Sequence, residues 1–405
     1  MKFRLNFSYG CIHGTYWMIY GIVSSFASVF LLGRGYLNTE IGIILAVANV
    51  VAVVIQPLVA DLADRSKKIS TIGISQIMTI MMMVMTVGLF ALQGKSVALS
   101  VVFVLLIAWH TAVQPLINSL SFKLSESGIH INFGIARSVG SLSYSLLCAV
   151  LGVLVARFGI EVLPISAEIV MAMMAISLLM TKRQYDKAKA CGKRETAEET
   201  AAENLTEMVE VAEDINLLEF IGRNKIFFIA NIGVIGLYFS NSVMNNYLMQ
   251  IVTEVGGNSA DMGRILSLMA FLEIPTLVFF DKLRAKFTCQ FMLKVAAIGF
   301  TIKILMCHIA ASVSMILAAQ VFQLIAFGLF LPAMVHFIDE IMSKGEAVKG
   351  QSVFTMMVTI TTMLSSLAGG AILDISGAKM LTLVSLIITA AGAVIILATV
   401  DRIKK

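Results

Sequence analysis

Charge is scarce in this sequence. Only 14% of its 405 residues are Asp, Glu, Lys or Arg, against about 25% in a soluble domain, and that excludes an ordinary water-facing surface. Proline is scarcer, with 5 in the whole chain, so long helices can run with few breaks. The 5 cysteines show no ligand spacing: Cys11, Cys148, Cys289 and Cys307 stand in apolar runs and Cys191 in a charged stretch. Disulfides, structural zinc and other metal sites are not expected, and nothing points to a cofactor. There is no Walker A, HExxH or GxSxG motif in a supporting context, which argues against an ATP-driven pump, a membrane hydrolase or any other enzyme. The net charge of +5 would suit nucleic acid, but the placement of the basic residues along the chain points elsewhere.

What fills the sequence is apolar. Hydrophobic residues make up 58% of it, 25 residues are methionine, and the mean hydropathy is +0.90. The apolar runs are long enough to cross a bilayer as helices. Twelve are expected, near 7–32, 40–60, 69–92, 97–121, 134–156, 162–181, 226–251, 262–280, 289–311, 313–338, 351–373 and 380–400. The basic start MKFRLNFSYG precedes a run too long for a cleaved signal, so it reads as the first span. With the N-terminus inside, the inner loops and termini hold Lys2, Arg4, Arg65, Lys67, Lys68, Lys282, Arg284, Lys286, Arg402, Lys404 and Lys405, among others. The outer loops hold only Arg34, Lys95, Arg157, Arg264 and Lys379. That bias puts both termini in the cytoplasm.

One long polar segment, 182–225, divides the spans six and six, giving a first half over 1–181 and a second over 226–405. It opens KRQYDKAKACGKR, turns acidic, and reads as a solvated, partly helical linker. The halves look alike. Gln56-Pro57 leads to Asp64-Arg65, and Glu273-Ile274-Pro275 leads to Asp281-Lys282; Gly134 opens span five and Gly350 opens span eleven. Repeated halves are a transporter signature, with the site expected near the midplane between them.

Polar residues inside spans are costly unless they face a cavity or a partner, and helical spacing groups them into stripes. Span one carries His13, Tyr16, Tyr20 and Ser24; span four His110, Gln114 and Asn118; span five Arg137, Ser141 and Tyr144. In the second half, span seven carries Tyr238, Asn241 and Asn245, span ten Gln320 and Gln323, and span eleven Ser352, Thr355, Thr359, Thr362 and Ser366. A single stripe can be helix–helix glue; stripes on six spans point to a shared wet cavity. Amides and hydroxyls match the donors and acceptors of a polyol or nucleoside, aromatic rings cover the apolar face of a sugar or base, and an arginine offers a rigid fork to vicinal hydroxyls. Glu273 and Lys303 are charges deep in the second half and natural partners; Glu168, deep in span six, reads as structural or peripheral.

The loop after span two, Ala60-x3-Asp64-Arg65-x-Lys67-Lys68, resembles the loop 2–3 signature of the major facilitator superfamily, with Ala60 and Lys67 where that signature has glycine. The resemblance implies an all-α membrane protein of twelve helices in two six-helix halves, with Asp64 and Arg65 as a cytoplasmic gate. GYLNTEIGIILAVANVVAVVIQPLVADLADRSKK, NFGIARSVGSLSYS, FLEIP and FTIKIL are, in that order, similar to the oligosaccharide:proton symporter (lactose permease-like) family. That resemblance assigns sugar binding to Arg137, ring stacking to Tyr144 where the family has tryptophan, and the helix-four carboxylate to Asn118, where the charge is lost. Glu273 matches the helix-eight glutamate and Lys303 the helix-nine arginine. The helix-ten histidine and glutamate fall on Gln323 and Ala326, the helix-seven aspartates near Ser242 and Asn245, and the helix-eleven lysine near Met357, so the family's proton relay is not carried over whole.

The expected function is a secondary active transporter, a monomer in the cytoplasmic membrane, moving a small neutral polar solute. A sugar or oligosaccharide by proton symport comes first; a nucleoside permease of the same fold and a sugar or drug exporter are alternatives. Substrate-binding candidates are His13, Tyr16, Tyr20, Gln114, Asn118, Arg137, Tyr144, Asn241, Asn245 and Gln323. Proton coupling falls to Glu273 with Lys303, or to His13 or His110, or is absent.

Overall fold

The computed structural model describes residues 2–65, 69–125, 131–195, 220 and 222–403. Among them every regular element is helical, which suits a chain surrounded by hydrocarbon, because a helix satisfies its own backbone. Ten helices are long and apolar enough to cross a membrane, or eleven when the bent first segment counts as one span. In order they run α1 Lys2–Tyr20, α2 Ala27–Gly33, α3 Asn38–Arg65, α4 Thr71–Ala91, α5 Val97–Ser125, α6 Phe133–Phe158 and α7 Val162–Glu195. Then come α8 Lys225–Asn246, α9 Leu248–Glu254, α10 Ser259–Arg284, α11 Cys289–Ile309, α12 Val313–Ala319, α13 Phe327–Ile341 and α14 Lys344–Thr399.

The last helix accounts for the twelfth crossing. Fifty-six residues in one helix would be about 84 Å long, far more than a bilayer core of about 30 Å. Gly377, with φ 77° and ψ 179°, is in a region open to glycine alone, and there α14 turns back as two spans. The polar segment is helical where it opens, since α7 continues through Glu195.

Three spans are interrupted in ways that periodicity does not announce. Span one passes from α1 through a π-turn, Gly21–Ser25, into α2 with a 42° bend. Span seven breaks at Tyr247 between α8 and α9. Span ten breaks between α12 and α13, through a 3-10 turn Gln320–Gln323 and Ala326 at φ −75°, ψ −98°. Thr276 Oγ1 donates to the Leu324 carbonyl at 3.1 Å, so α10 satisfies a group that this break frees.

By packing, residues 1–202 with 262–270 form one compact unit and residues 203–261 with 271–405 a second. In the first, α1 lies against α6 and α7, α3 against α5, and α4 against α5 and α7. In the second, α8 lies along α14, and α11 against α13 and α14. Phe300, Phe330 and Phe337 are fully buried in the core of the second unit. The apolar side chains that do not face a core, such as Val50, Val53, Val54 and Leu58 on one side of α3, are exposed, the surface a bilayer would cover.

At one end the first unit is tied by Arg34. Its guanidinium meets Glu161 with both nitrogens, at 2.7 and 3.0 Å, reaches the Gln93 carbonyl at 3.3 Å and stacks on Phe30 at 5.0 Å. Arg34 is buried and Glu161 half-exposed, so the pair keeps part of its attraction without stranding both charges. Arg34→Ala is expected to cost about 2 kcal/mol, the range for charge-assisted hydrogen bonds, read as a lower melting temperature in detergent; an unchanged melt would show that the tie is idle.

Candidate solute-binding and coupling sites

The first unit gathers its span-one, span-four and span-five stripes into an aromatic wall. Arg137 lies with its guanidinium 4.0 Å from the centre of Trp17 and donates to Ser141 Oγ at 3.0 Å. Gly140 makes this approach possible, because a Cβ there would stand 2.5 Å from Trp17 Cδ1. Trp17 meets Tyr16 and Tyr20 at 5.5 and 5.3 Å between centroids. Tyr20, half-buried, also touches Tyr144 at 6.1 Å and His110 at 6.1 Å. Stacking on a ring face is the geometry in which an arginine gains most from an aromatic partner while its N–H fork stays directed sideways.

Tyr144, the ring that the resemblance assigns to stacking, is buried, and its hydroxyl sits 2.8 Å from Ser25 Oγ at the end of the π-turn. It fastens span five to the bend of span one, and the half-buried ring beside Arg137 is Trp17. His13 is buried, with Nε2 2.9 Å from Tyr9 Oη, and Tyr9 in turn donates to the Ile117 carbonyl at 3.2 Å. Gln114 and Asn118 are half-buried on α5, and the Asn118 carbonyl accepts from Ser121 Oγ at 2.9 Å.

The second unit joins its deep charges through an amide. Lys303 donates to Gln323 Oε1 at 2.5 Å, and Gln323 Nε2 donates to Glu273 Oε1 at 2.8 Å. Lys303 and Gln323 are buried and Glu273 half-buried. The bridge has one chemically consistent orientation, carbonyl to ammonium and N–H to carboxylate. Both ends of the Gln323 amide are therefore engaged within the protein, which sets it apart from the other substrate-binding candidates and places it with Glu273 and Lys303. The break in span ten carries Gln323 to this position.

Spans seven and eleven meet in a polar seam that uses Ser366 of the span-eleven stripe. Asn246 Nδ2 donates to Ser366 Oγ at 2.9 Å, Ser365 Oγ bonds Ser242 Oγ at 2.6 Å, and the Tyr247 hydroxyl donates to the Ser366 carbonyl. Thr355, Thr359 and Thr362 each return a hydrogen bond to the carbonyl one turn back, a habit of hydroxyl residues within helices. Asn245 Nδ2 bonds the Asn241 carbonyl at 2.9 Å, while Asn241 Oδ1 is buried without a hydrogen-bond partner.

The residues expected to form a gate are only partly described. The side chain of Asp64, with Lys67 and Lys68, lies outside the described residues. Arg65 pairs with Asp61 one turn back at 2.6 Å, both exposed, a local pair worth little in stability.

Interrupted spans, a cation on an aromatic face and a buried charge bridge suit a solute carrier, and residues 9–384 match the pattern of the MFS_1 like family. The chain belongs to that family. No curated protein matches it. Among solved structures it is similar to a mutant of the nucleoside transporter NupG, with a TM-score of 0.77, 15% identity, and 98% of this chain and 99% of that one covered. It is also similar to a POT family transporter in complex with a thioalcohol-conjugated peptide, with a TM-score of 0.70 and 12% identity over 99% and 96% of the two chains. A bacterial homolog of the human lysosomal transporter Spinster, inward-facing and unoccupied, gives 0.67 and 14% over 99% and 97%. At such identities the likeness is one of fold alone; it is the family that makes the chain a multi-pass major facilitator transporter rather than an enzyme.

For this MFS_1-like transporter, stripe reading missed Trp17 and Ser25. Trp17 reads as apolar, and its signal lay one helical turn after His13, on a chain with only 2 tryptophans. Ser25 is the last residue of the π-turn, where the 3.6-residue period that relates span-one positions no longer holds.

Proposed function

We propose that this transporter carries a small neutral polar solute with a flat apolar face, a sugar or oligosaccharide first, by proton symport with alternating access. The observation that supports this most is Arg137 laid on Trp17 at 4.0 Å beside Tyr20. The ring covers a pyranose face while the guanidinium fork takes vicinal hydroxyls. Glu273, bridged by Gln323 to Lys303, is the proposed proton carrier. The protein works as a monomer in the cytoplasmic membrane with both termini inside, the orientation its loop charges favour.

A nucleoside is the second reading. It is favoured by the number of rings in the wall, Tyr16, Trp17, Tyr20, His110 and Tyr144, and by the likeness in fold to a nucleoside transporter. Proteoliposomes given an inward proton gradient separate the two readings. Labelled lactose and raffinose are expected to accumulate if the wall reads sugars, uridine and adenosine if it reads nucleosides. Accumulation of none of the four would remove the proposal.

A further inference from the structure

Two imidazoles of the first unit have their protons placed by what they touch. His110 Nε2 lies 3.2 Å from the Tyr16 carbonyl. A carbonyl oxygen only accepts, so Nε2 carries the proton and Nδ1 holds a lone pair. Tyr9 gives its hydroxyl proton to Ile117, so His13 Nε2 is the donor to Tyr9 and His13 Nδ1 is likewise a lone pair. Both rings are 1% exposed, and both Nδ1 atoms are buried without a hydrogen-bond partner. A buried acceptor left unpaired is costly, and native proteins hold few of them.

His110 is the one set into the aromatic wall. Its ring is stacked on Tyr16, 4.4 Å between centroids with 10° between planes, and adjoins Tyr20 at 6.1 Å. The stack and the bond to the Tyr16 carbonyl together fix the ring, so Nδ1 cannot turn toward a partner without losing both. The donor has to come to it.

We propose that His110 Nδ1 is a specificity-determining acceptor that takes a hydrogen bond from an O–H or N–H of the solute, an inference that rests on the wall of Arg137 and Trp17 being the solute site. Arginine can only donate. Together they ask for a molecule that offers an acceptor to Arg137 and a donor to His110 along the aromatic wall. The several hydroxyls of a sugar meet that demand, as do the N–H, carbonyl and hydroxyl groups of a nucleoside. A carboxylate that only accepts would serve Arg137 and leave Nδ1 unpaired, so the pair selects neutral solutes over anionic ones.

Two substitutions separate this role from a structural one. Glutamine places its amide where Nε2 stands and keeps the donor to Tyr16; asparagine places its amide near Nδ1 and keeps the acceptor. His110→Gln is expected to melt close to wild type while its KM for labelled lactose or uridine rises about tenfold, the loss of one buried hydrogen bond. His110→Asn is expected to melt lower yet hold KM within about threefold of wild type. Across a deoxy series of the transported probe, one analogue should bind wild type and His110→Gln equally. Wild-type KM in His110→Gln, or the opposite order of the two variants, overturns the proposal. Arg137→Ala tells the two failures apart. If it too keeps wild-type uptake, the wall reading falls and carries this one with it; if it loses uptake while His110→Gln does not, only this inference falls. Uptake of neither probe by the wild type removes both.

Discussion

Glu273→Gln is expected to abolish uphill uptake while sparing exchange of solute between equal pools. The carboxylate accepts from Gln323 Nε2 at 2.8 Å, and the same amide accepts from Lys303. A glutamine at 273 has nearly the same shape and still offers an oxygen to Gln323, so the bridge across spans eight, nine and ten survives. What it lacks is a proton to gain and release. Moving one charge across the membrane is worth about 2.3 kcal/mol per 100 mV, which corresponds to accumulation of about fifty-fold, and that factor is what the variant should lose. A static structural ion pair predicts something else, the loss of folding or of both activities together. Lys303, buried one amide away, would be left less compensated, and an uncompensated buried charge is costly. The double variant Glu273→Gln with Lys303→Gln removes both charges and guards against that outcome. Wild-type accumulation by Glu273→Gln against a solute gradient would exclude the coupling role.

Arg137→Lys should weaken solute binding about tenfold and Arg137→Ala by up to about a hundredfold, the span of one to two charge-assisted hydrogen bonds. Lysine keeps the charge but has no planar fork to present and no delocalised plane to lay on Trp17. The alanine variant loses the stack as well, itself worth about 0.5–2 kcal/mol. Tyr144→Phe is the control within the same stripe. Its hydroxyl is engaged by Ser25 at 2.8 Å, so the change should cost about 1 kcal/mol in the melt and leave affinity for labelled lactose or uridine nearly untouched. An affinity loss in Tyr144→Phe equal to that of Arg137→Lys would mean that the solute, not Ser25, uses the hydroxyl. Wild-type affinity in Arg137→Ala would remove the wall as the site.

The candidate site was legible in the sequence to the extent that helical period holds. Arg137 and Ser141, one turn apart, do meet, and Glu273 and Lys303 do belong to one cluster. Where a span is interrupted, the period fails and so does the reading. Gln323 has the right composition for a solute contact, yet the 3-10 turn over Gln320–Gln323 delivers it between two charges. Trp17 carries no polar flag that a stripe would register, and only the absence of a side chain at Gly140, on a different helix, gives it its place. The hydroxyl face of span eleven divides: Ser366, with its neighbour Ser365, serves the seam with span seven, while Thr355 is exposed and Thr359 half-buried.

By itself the sequence determined that this chain crosses a membrane many times as helices, because 58% hydrophobic and 14% charged residues leave nothing else stable in hydrocarbon. It also determined which spans bear polar groups, since such groups are tolerated at depth only for a reason. Tertiary structure alone decided how those groups pair. The break in span ten and the π-turn in span one are local departures from helix, held by bonds from other spans, Thr276 to Leu324 and Tyr144 to Ser25. The residues that stabilise each departure lie 48 and 119 positions away, beyond the reach of any window that reads one helix at a time.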